Sequence, residues 1–169
     1  HAHTGVAFTT WLDPLLAIEQ ANAIKEAFIK LMPGKKEIFE TNFQSLKKVL
    51  SDLDKAMSAI VSKDPDKPLV ASHPVYQYLA RRYNLNLKSV QWEPDVFPVL
   101  NQWKELGVIL ESNPSHWMIW EDTPIKETTE RLESIEINSI VFNPCGNIPE
   151  NGDYISVMKQ NVENLKIVF

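Results

Sequence analysis

Four short predicted strands, most of them rich in apolar residues and each followed by a stretch with helical spacing, set the strongest limit on the fold of this 169-residue chain. The predicted strands are Leu69–Ala71, Lys88–Trp92, Trp117–Trp120 and Ser139–Phe142. The stretches that follow them are Val75–Tyr83, Phe97–Glu111, Ile125–Leu132 and Asp153–Val168. Buried strands that alternate with helices are typical of a parallel sheet with helices on both faces. The pattern therefore predicts an α/β fold with a four-stranded, mostly parallel sheet and flanking helices.

Two helices are predicted before the first of these strands. Asp13 and Pro14 suit the N-cap and the first helical position, and a Pro-Gly pair ends this helix at Met32. Apolar residues then recur in steps of three and four, which predicts a second helix, Lys36–Ser62. At 1.5 Å per residue this helix is roughly 40 Å long. A helix of that length indicates a strut along one side of the molecule.

The chain therefore divides into three parts. Residues 1–12, which include His1 and His3, are predicted to be a loop or a frayed end. Residues 13–63 form a helical region that contains the long helix, and residues 64–169 form an α/β lobe. Because the chain begins with His rather than Met, we interpret its start as a processed or cut end.

Composition and motifs exclude several classes of function. The net charge of -5 does not favour binding to nucleic acid or to an anionic membrane. A single cysteine leaves no internal disulfide and no cysteine-based metal site. No phosphate loop, dinucleotide fingerprint or nucleophile elbow is present, and glycine is scarce at five residues. We therefore expect neither an enzyme of these classes nor a nucleic-acid partner.

The residues that follow the strands are candidates for a ligand site, because open parallel sheets bind ligands at the carboxyl ends of their strands. His73 follows the first strand, Glu93 the second, Glu121 the third and Asn143 the fourth. Imidazole and oxygen ligands suit Zn²⁺ or Mn²⁺. Simpler interpretations stay open: a surface histidine, carboxylates that cap the following helices, and an amide in a turn before proline.

Three segments carry a family resemblance: WLDP (Trp11–Pro14), SHPVYQYLARRYNL (Ser72–Leu85) and GDYISVMKQNVENL (Gly152–Leu165). Together with the order of helices and strands, they resemble the zinc/manganese-type solute-binding proteins of ABC transporters. The resemblance implies two α/β lobes joined by one long helix, with the metal between the lobes. The chain would then hold the linking helix and the C-terminal lobe. The N-terminal lobe would precede His1, so the chain would be about half of the protein.

The resemblance implies a metal site in which His73 is a ligand. Where the family has Asp-Pro-His before the tryptophan, this chain has Ala-Phe-Thr, which ends at Thr9, so one usual histidine ligand is absent. His1 and His3 lie just upstream in a stretch that resembles the family's His-rich loop. They are candidate substitutes, and the simpler interpretation is a tag or a tail.

Two further positions complete the implied ligand set. Asn143 stands where the family has its last ligand, an aspartate before proline, and a neutral amide binds a dication more weakly than a carboxylate does. Glu121 matches a strand-end acid that is mainly structural in the family, and it is the remaining candidate. Retained imidazoles favour zinc over manganese, whose sites are richer in carboxylate oxygen.

The resemblance also implies a function outside the cytoplasmic membrane. It predicts a periplasmic protein, or an extracellular lipoprotein anchored to the cell membrane, that binds a divalent metal ion and delivers it to the permease of an ABC importer. A chelatase-like enzyme that uses His73 and Glu121, a surface adhesin, and a carrier of another cargo are the alternatives on this scaffold. We also expect the isolated lobe to form a homodimer through its exposed face or its long helix.

Overall fold

The computed structural model describes residues 7–169 and contains a single four-stranded sheet in that range. The strands are β1 (Leu69–Ala71), β2 (Leu87–Ser89), β3 (Trp117–Trp120) and β4 (Asn138–Val141). The α-helices are α1 (Pro14–Leu31), α2 (Lys36–Val61), α3 (Gln77–Tyr83), α4 (Leu100–Ser112), α5 (Lys126–Glu133) and α6 (Tyr154–Val168). The strand order is β2-β1-β3-β4, and every neighbouring pair is parallel. The predicted fold class is therefore confirmed.

Side-chain caps fix the starts of the first and last helices. The Asp13 carboxylate accepts hydrogen bonds from the N–H groups of Leu15 and Leu16 at the start of α1. Asp153 accepts one from the N–H of Ser156 at the start of α6. Such caps satisfy N–H groups that have no partner within the helix. Both helices begin one residue after their capping aspartate.

Helices cover both faces of the sheet. One face carries Ala71 and Ile119, which join a buried cluster with residues of α2, α3 and α6. The other face carries Val70, Met118 and Trp120, which pack with residues of α4 and α5. Successive strand residues point to opposite faces, so a sheet covered on both sides needs continuous apolar strands. This requirement explains the apolar runs in the sequence.

The long helix α2 spans 26 residues and has a buried and a more exposed half. Its C-terminal half lies under the lobe and buries Leu50, Leu53, Met57, Ile60 and Val61. Its first half packs against α1, where the rings of Phe28 and Phe39 stack at 5.5 Å. Apolar side chains such as Leu31 and Ile38 stay exposed on this helical pair. The predicted homodimer would need such a surface, and it stays a prediction.

The second strand, β2, is shorter than predicted because it lies at the edge of the sheet and pairs with β1 alone. The chain nevertheless continues alongside β1. The N–H of Val90 donates to the carbonyl of Ala71, and the N–H of Trp92 donates to the carbonyl of Ser72. These two hydrogen bonds carry the backbone in an extended course as far as Glu93. They determine where that carboxylate lies.

The segment before α1 packs onto the lobe from Thr9 onward. Residues 10–12 form one 3-10 turn, and Leu12 is buried in the core. The indole N–H of Trp11 donates to the carbonyl of Pro144, and the Tyr154 hydroxyl donates to the carbonyl of Trp11. The predicted three-part domain division stays a prediction, and its first six residues lie outside the described part of the chain.

Candidate metal centre

Three side chains with metal-binding groups meet beyond the ends of β1, β2 and β3. Ligand atoms of His73, Glu93 and Glu121 all lie within 4.8 Å of one another. The Nδ1 atom of His73 is 3.7 Å from Oε1 of Glu121, and its Nε2 atom is 4.0 Å from Oε1 of Glu93. Within residues 7–169, no other group of three such residues comes close enough to share an ion. The cluster is therefore the candidate metal centre.

The sheet brings these three residues to one place. His73 and Glu121 each stand two residues beyond a paired position of β1 and β3, so they lie at the same level on adjacent strands. On the other side of β1, the N–H of Trp92 donates to the carbonyl of Ser72 at 2.8 Å, which holds the backbone that leads to Glu93. The central residue of the cluster thus follows the strand that lies between the other two.

The imidazole of His73 is oriented by the backbone of the neighbouring strand. Its side chain is 13% exposed, and its Nδ1 atom lies 3.4 Å from the carbonyl oxygen of Trp92. In the tautomer with the proton on Nδ1, this N–H donates to that carbonyl, and the Nε2 lone pair is free. A second hydrogen bond of this kind is the usual way in which proteins fix a metal-binding histidine. His73 therefore has the arrangement that a metal ligand needs.

Electrostatics at the cluster favour an added positive charge. Burial raises the pKa of the Glu121 carboxyl above its usual value, His73 acts in the opposite direction, and the negative charges of Glu93 and Asp122 add to the rise. Like charges held close together in a partly buried site repel each other, and a bound dication would remove this repulsion. No lysine or arginine among residues 7–169 lies within ion-pair distance of Glu93 or Glu121.

A cavity of about 810 Å³ adjoins the cluster at the carboxyl edge of the sheet. Acidic residues line it: Glu93, Asp95, Glu121, Asp122 and Glu150. Amide side chains line it as well: Asn143, Asn147 and Asn151. A cavity with this lining attracts cations and repels anions. A metal ion can therefore reach the cluster from this side.

Two positions that the resemblance singled out have structural roles. Thr9 is buried, and its hydroxyl donates to the carbonyl of Val75 at 2.6 Å. The Asn143 side-chain oxygen accepts from the N–H of Cys145 at 2.7 Å, and the Asn143 backbone is bound on both sides by the Asn161 amide. Asn143 lines the cavity but is not part of the three-residue cluster.

The structure brings two predicted residues, His73 and Glu121, together and adds Glu93 to them. His1 and His3 lie outside the described residues. In the sequence, Glu93 is a strand-end acid that could bind a ligand or cap the following helix. The second alternative fails because α4 begins only at Leu100, without a side-chain cap from its N-cap residue. The position directly after the second strand makes Glu93 a candidate in the sequence, but the family resemblance, which includes Glu121, does not include Glu93.

The fold and the cluster together define a class of protein. It has an α/β lobe on a long helical spine, with a cluster of metal-binding side chains at the carboxyl edge of the sheet. The family described as "ZnuA: Zinc-uptake complex component A periplasmic" matches residues 2–168. The chain therefore belongs to the ZnuA family, and the predicted resemblance is confirmed.

Relatives and solved structures agree with this assignment. The zinc-binding lipoprotein AdcA of Streptococcus pneumoniae strain R6 is 29% identical over 163 residues, which cover 92% of this chain and 32% of AdcA. The chain thus spans about a third of the length of this relative. The Zn(II)-bound ZnuA-like domain of S. pneumoniae AdcA is 28% identical with a TM-score of 0.83, over 94% of this chain and 62% of that domain. The metal-dependent lipoprotein YcdH of Bacillus subtilis is 25% identical with a TM-score of 0.84, over 94% and 63%.

Proposed function

We propose that this chain is the metal-holding lobe of an extracytoplasmic zinc-binding protein that delivers its ion to an ABC importer. The observation that carries the proposal is the imidazole of His73, which lies between the carboxylates of Glu93 and Glu121. Nitrogen and oxygen donors of this kind are typical zinc ligands. The similarity to a Zn(II)-bound AdcA domain also supports zinc, and manganese is the alternative cargo.

The proposed task is reversible binding, without a catalytic step. The metal would enter through the acidic cavity, exchange part of its water shell for His73 and neighbouring side chains, and leave again intact. The long helix α2 supports small shifts of the lobe rather than a wide hinge motion, because its C-terminal half is packed under the sheet. The enzyme alternative would require a bond to be made or broken at this cluster, and family membership favours a binding protein.

Location and transporter partner are part of the same proposal. Within residues 7–169, no helix combines the length and the apolar character needed to cross a membrane. The AdcA relative is described as a lipoprotein, which supports an anchored extracellular or periplasmic protein. The name of the family, a zinc-uptake component, supports a membrane permease as the recipient of the ion.

The other predicted ligands keep supporting roles in the proposal. His1 and His3 would capture metal loosely before its transfer to His73. Asn143 would line the entrance, since it borders the cavity. The division into residues 1–12, 13–63 and 64–169 then corresponds to an entry segment, a helical spine and a metal-holding lobe.

Zinc titration by calorimetry tests this function on the chain as it stands. We expect one zinc ion per chain, and we expect His73→Ala to weaken binding by at least about tenfold, because even the loss of a residue that only supports a ligand typically costs that much. The reason is that His73 supplies the sole imidazole of the cluster within residues 7–169.

His116→Ala is the matched control. His116 is an exposed histidine directly before β3, at the opposite edge of the sheet, where its Nδ1 atom lies 3.1 Å from the carbonyl oxygen of Glu136. This variant should bind zinc as the unchanged chain does. Equal zinc affinity in His73→Ala and His116→Ala would contradict the proposed function.

A further inference from the structure

We propose that Glu93 is the third protein ligand, and that the metal ion sits over β1, between the ends of β2 and β3, rather than toward β4. The inference rests on the proposed function and specifies where the ion is held. It assigns a ligand role to a residue that the family resemblance did not include. It also defines the donor set as one imidazole and two carboxylates.

The order of the strands places His73 between Glu93 and Glu121. Because the order is β2-β1-β3-β4, the residue after β1 has the ends of β2 and β3 as its immediate neighbours, while β4 lies one strand farther away. Adjacent strands lie about 4.8 Å apart, so side chains at the ends of three neighbouring strands can reach one ion. His73 in the centre is thus flanked by Glu93 and Glu121, and Asn143 is the most distant of the four strand-end residues along the sheet.

The distances between ligand atoms in the cluster can be compared with those in a zinc site. In a tetrahedral zinc site with bonds of about 2.0–2.2 Å, neighbouring ligand atoms lie roughly 3.3–3.6 Å apart. One ligand atom from each of His73, Glu93 and Glu121 lies within 4.8 Å of the other two, and Nε2 of His73 is 4.0 Å from Oε1 of Glu93. Rotations about the side-chain bonds of the two glutamates would close the remaining gap.

The Glu93 carboxylate is also available to bind the ion. Its side chain is 61% exposed, and its ion pairs within residues 7–169 include His73 and no lysine or arginine. It does not cap α4, because the N–H of Val99 at that helix start donates to the Gln102 side chain instead. A carboxylate that is held by its backbone and has no competing partner can turn toward an ion at little cost.

Two other residues near the carboxyl edge of the sheet form structural hydrogen bonds. Thr9 and Asn143 are the two positions at which the resemblance leads one to expect a histidine and an aspartate. The Thr9 hydroxyl bonds to the Val75 carbonyl, and the Asn143 oxygen bonds to the Cys145 N–H. Neither offers a charged donor. Glu93, which follows β2, supplies a carboxylate to the site instead.

This set of ligands affects which metal ion the site prefers. Three protein ligands leave at least one coordination position of zinc for water or for another group, as in open zinc sites. Two carboxylates and one imidazole also bind harder divalent ions better than a histidine-rich set does. We therefore expect zinc to be preferred over manganese by a smaller margin than in a site with several histidines.

Glu93→Gln, Glu111→Gln and Asn143→Asp separate the two locations of the ion in a zinc titration by calorimetry. Glu93→Gln keeps the size of an exposed side chain and removes its charge, so its fold should be unaffected, which the thermal midpoint without metal verifies. Glu111→Gln makes the same change at an exposed acid near the end of α4, which does not line the cavity. We expect Glu93→Gln to weaken zinc binding by at least about tenfold and Glu111→Gln to leave it nearly unchanged.

Asn143→Asp provides the opposite test, because it places a carboxylate on the β4 side. The inference predicts little change in zinc affinity for this variant. A marked gain in Asn143→Asp, together with unchanged affinity in Glu93→Gln, would overturn the inference. If His73→Ala weakens binding while Glu93→Gln does not, this inference alone fails. If neither variant weakens binding, the proposed function fails as well.

Discussion

At the scale of single residues, Thr9 and Asn143 explain why the site differs from the arrangement that the resemblance implies. Each stands at an implied ligand position, and each contributes a hydrogen bond that holds a loop at the carboxyl edge of the sheet. The hydroxyl of Thr9 joins the segment before α1 to Val75, two residues beyond His73. The two residues therefore support the site without supplying charged donors to it.

Thr9→Val tests this division of roles. The variant keeps the shape of the side chain and leaves the carbonyl of Val75 without its partner, so we expect a loss of about 1 kcal/mol in the free energy of unfolding. Urea denaturation measures this loss. Zinc affinity should stay as it is, because Thr9 has no ligand role in this account.

Thr10→Val is the matched control for Thr9→Val. The Thr10 hydroxyl accepts a hydrogen bond from Gln20 at the surface, so its removal should hardly change stability. A clear loss of zinc affinity in Thr9→Val, with stability unchanged, would mean that Thr9 belongs to the metal site.

The sequence predicted some of these residues and missed others for physical reasons. His73 and Glu121 were found because the ends of two strongly apolar strands are easy to identify. Glu93 follows an edge strand whose regular part is short, and a carboxylate there could equally have capped a helix. The partner of Thr9 lies 66 positions away along the chain, so no local pattern could reveal its burial.

At the scale of helices and strands, a hydrogen-bonded ion pair joins the long helix α2 to helix α3 of the lobe. The guanidinium of Arg82 on α3 donates two hydrogen bonds to the Asp54 carboxylate on α2, at 2.8 and 2.7 Å, and the Tyr83 hydroxyl donates a third. Burial alone would raise the pKa of Asp54, but the hydrogen bonds from Arg82 and Tyr83 lower it more. Because α3 follows directly on the loop that carries His73, this ion pair links the long helix to the site.

The lowered pKa of Asp54 predicts a pH-dependent contribution to stability. A carboxyl group whose pKa is lower in the folded state stabilises the fold above its ordinary pKa of 3.8, and this contribution is lost as the pH falls through the lowered value. We expect Asp54→Asn to lower the free energy of unfolding by about 1 to 2 kcal/mol near neutral pH. The difference from the unchanged chain should shrink below the ordinary pKa.

Urea denaturation at neutral and acidic pH measures this effect, with Asp52→Asn as the control. Asp52 lies on the same helix and pairs with Lys48 at the surface, where both side chains are more than half exposed, so its loss should matter little at any pH. A difference between Asp54→Asn and the unchanged chain that stays constant from neutral to acidic pH would contradict this account.

The elements themselves were largely predictable from the sequence. Alternating apolar runs and helical stretches are enough to predict the four β-α units, because a sheet covered on both faces leaves few other patterns. The limits of β2 were less predictable, since an edge strand with one partner ends where its hydrogen bonds become irregular. That irregular part, up to Trp92, is what brings Glu93 to the cluster.

At the scale of the whole molecule, the chain concentrates negative charge at the carboxyl edge of its sheet. Its net charge is -5, and the cavity beside the cluster is lined by five carboxylates. Such a field raises the local concentration of cations and speeds their capture, an effect that salt weakens. Family membership, the parallel sheet and the placement of His73 support the proposed task, the holding of a metal ion.

Diffraction at the zinc absorption edge, from crystals of the chain grown with zinc, tests the central claim most directly. The account predicts one strong anomalous peak per chain, about 2.0–2.2 Å from Nε2 of His73 and from carboxylate oxygens of Glu93 and Glu121. A peak beside Asn143 that does not contact Glu93 would contradict the proposed location of the ion. The absence of any peak at His73 would contradict the metal-binding function itself.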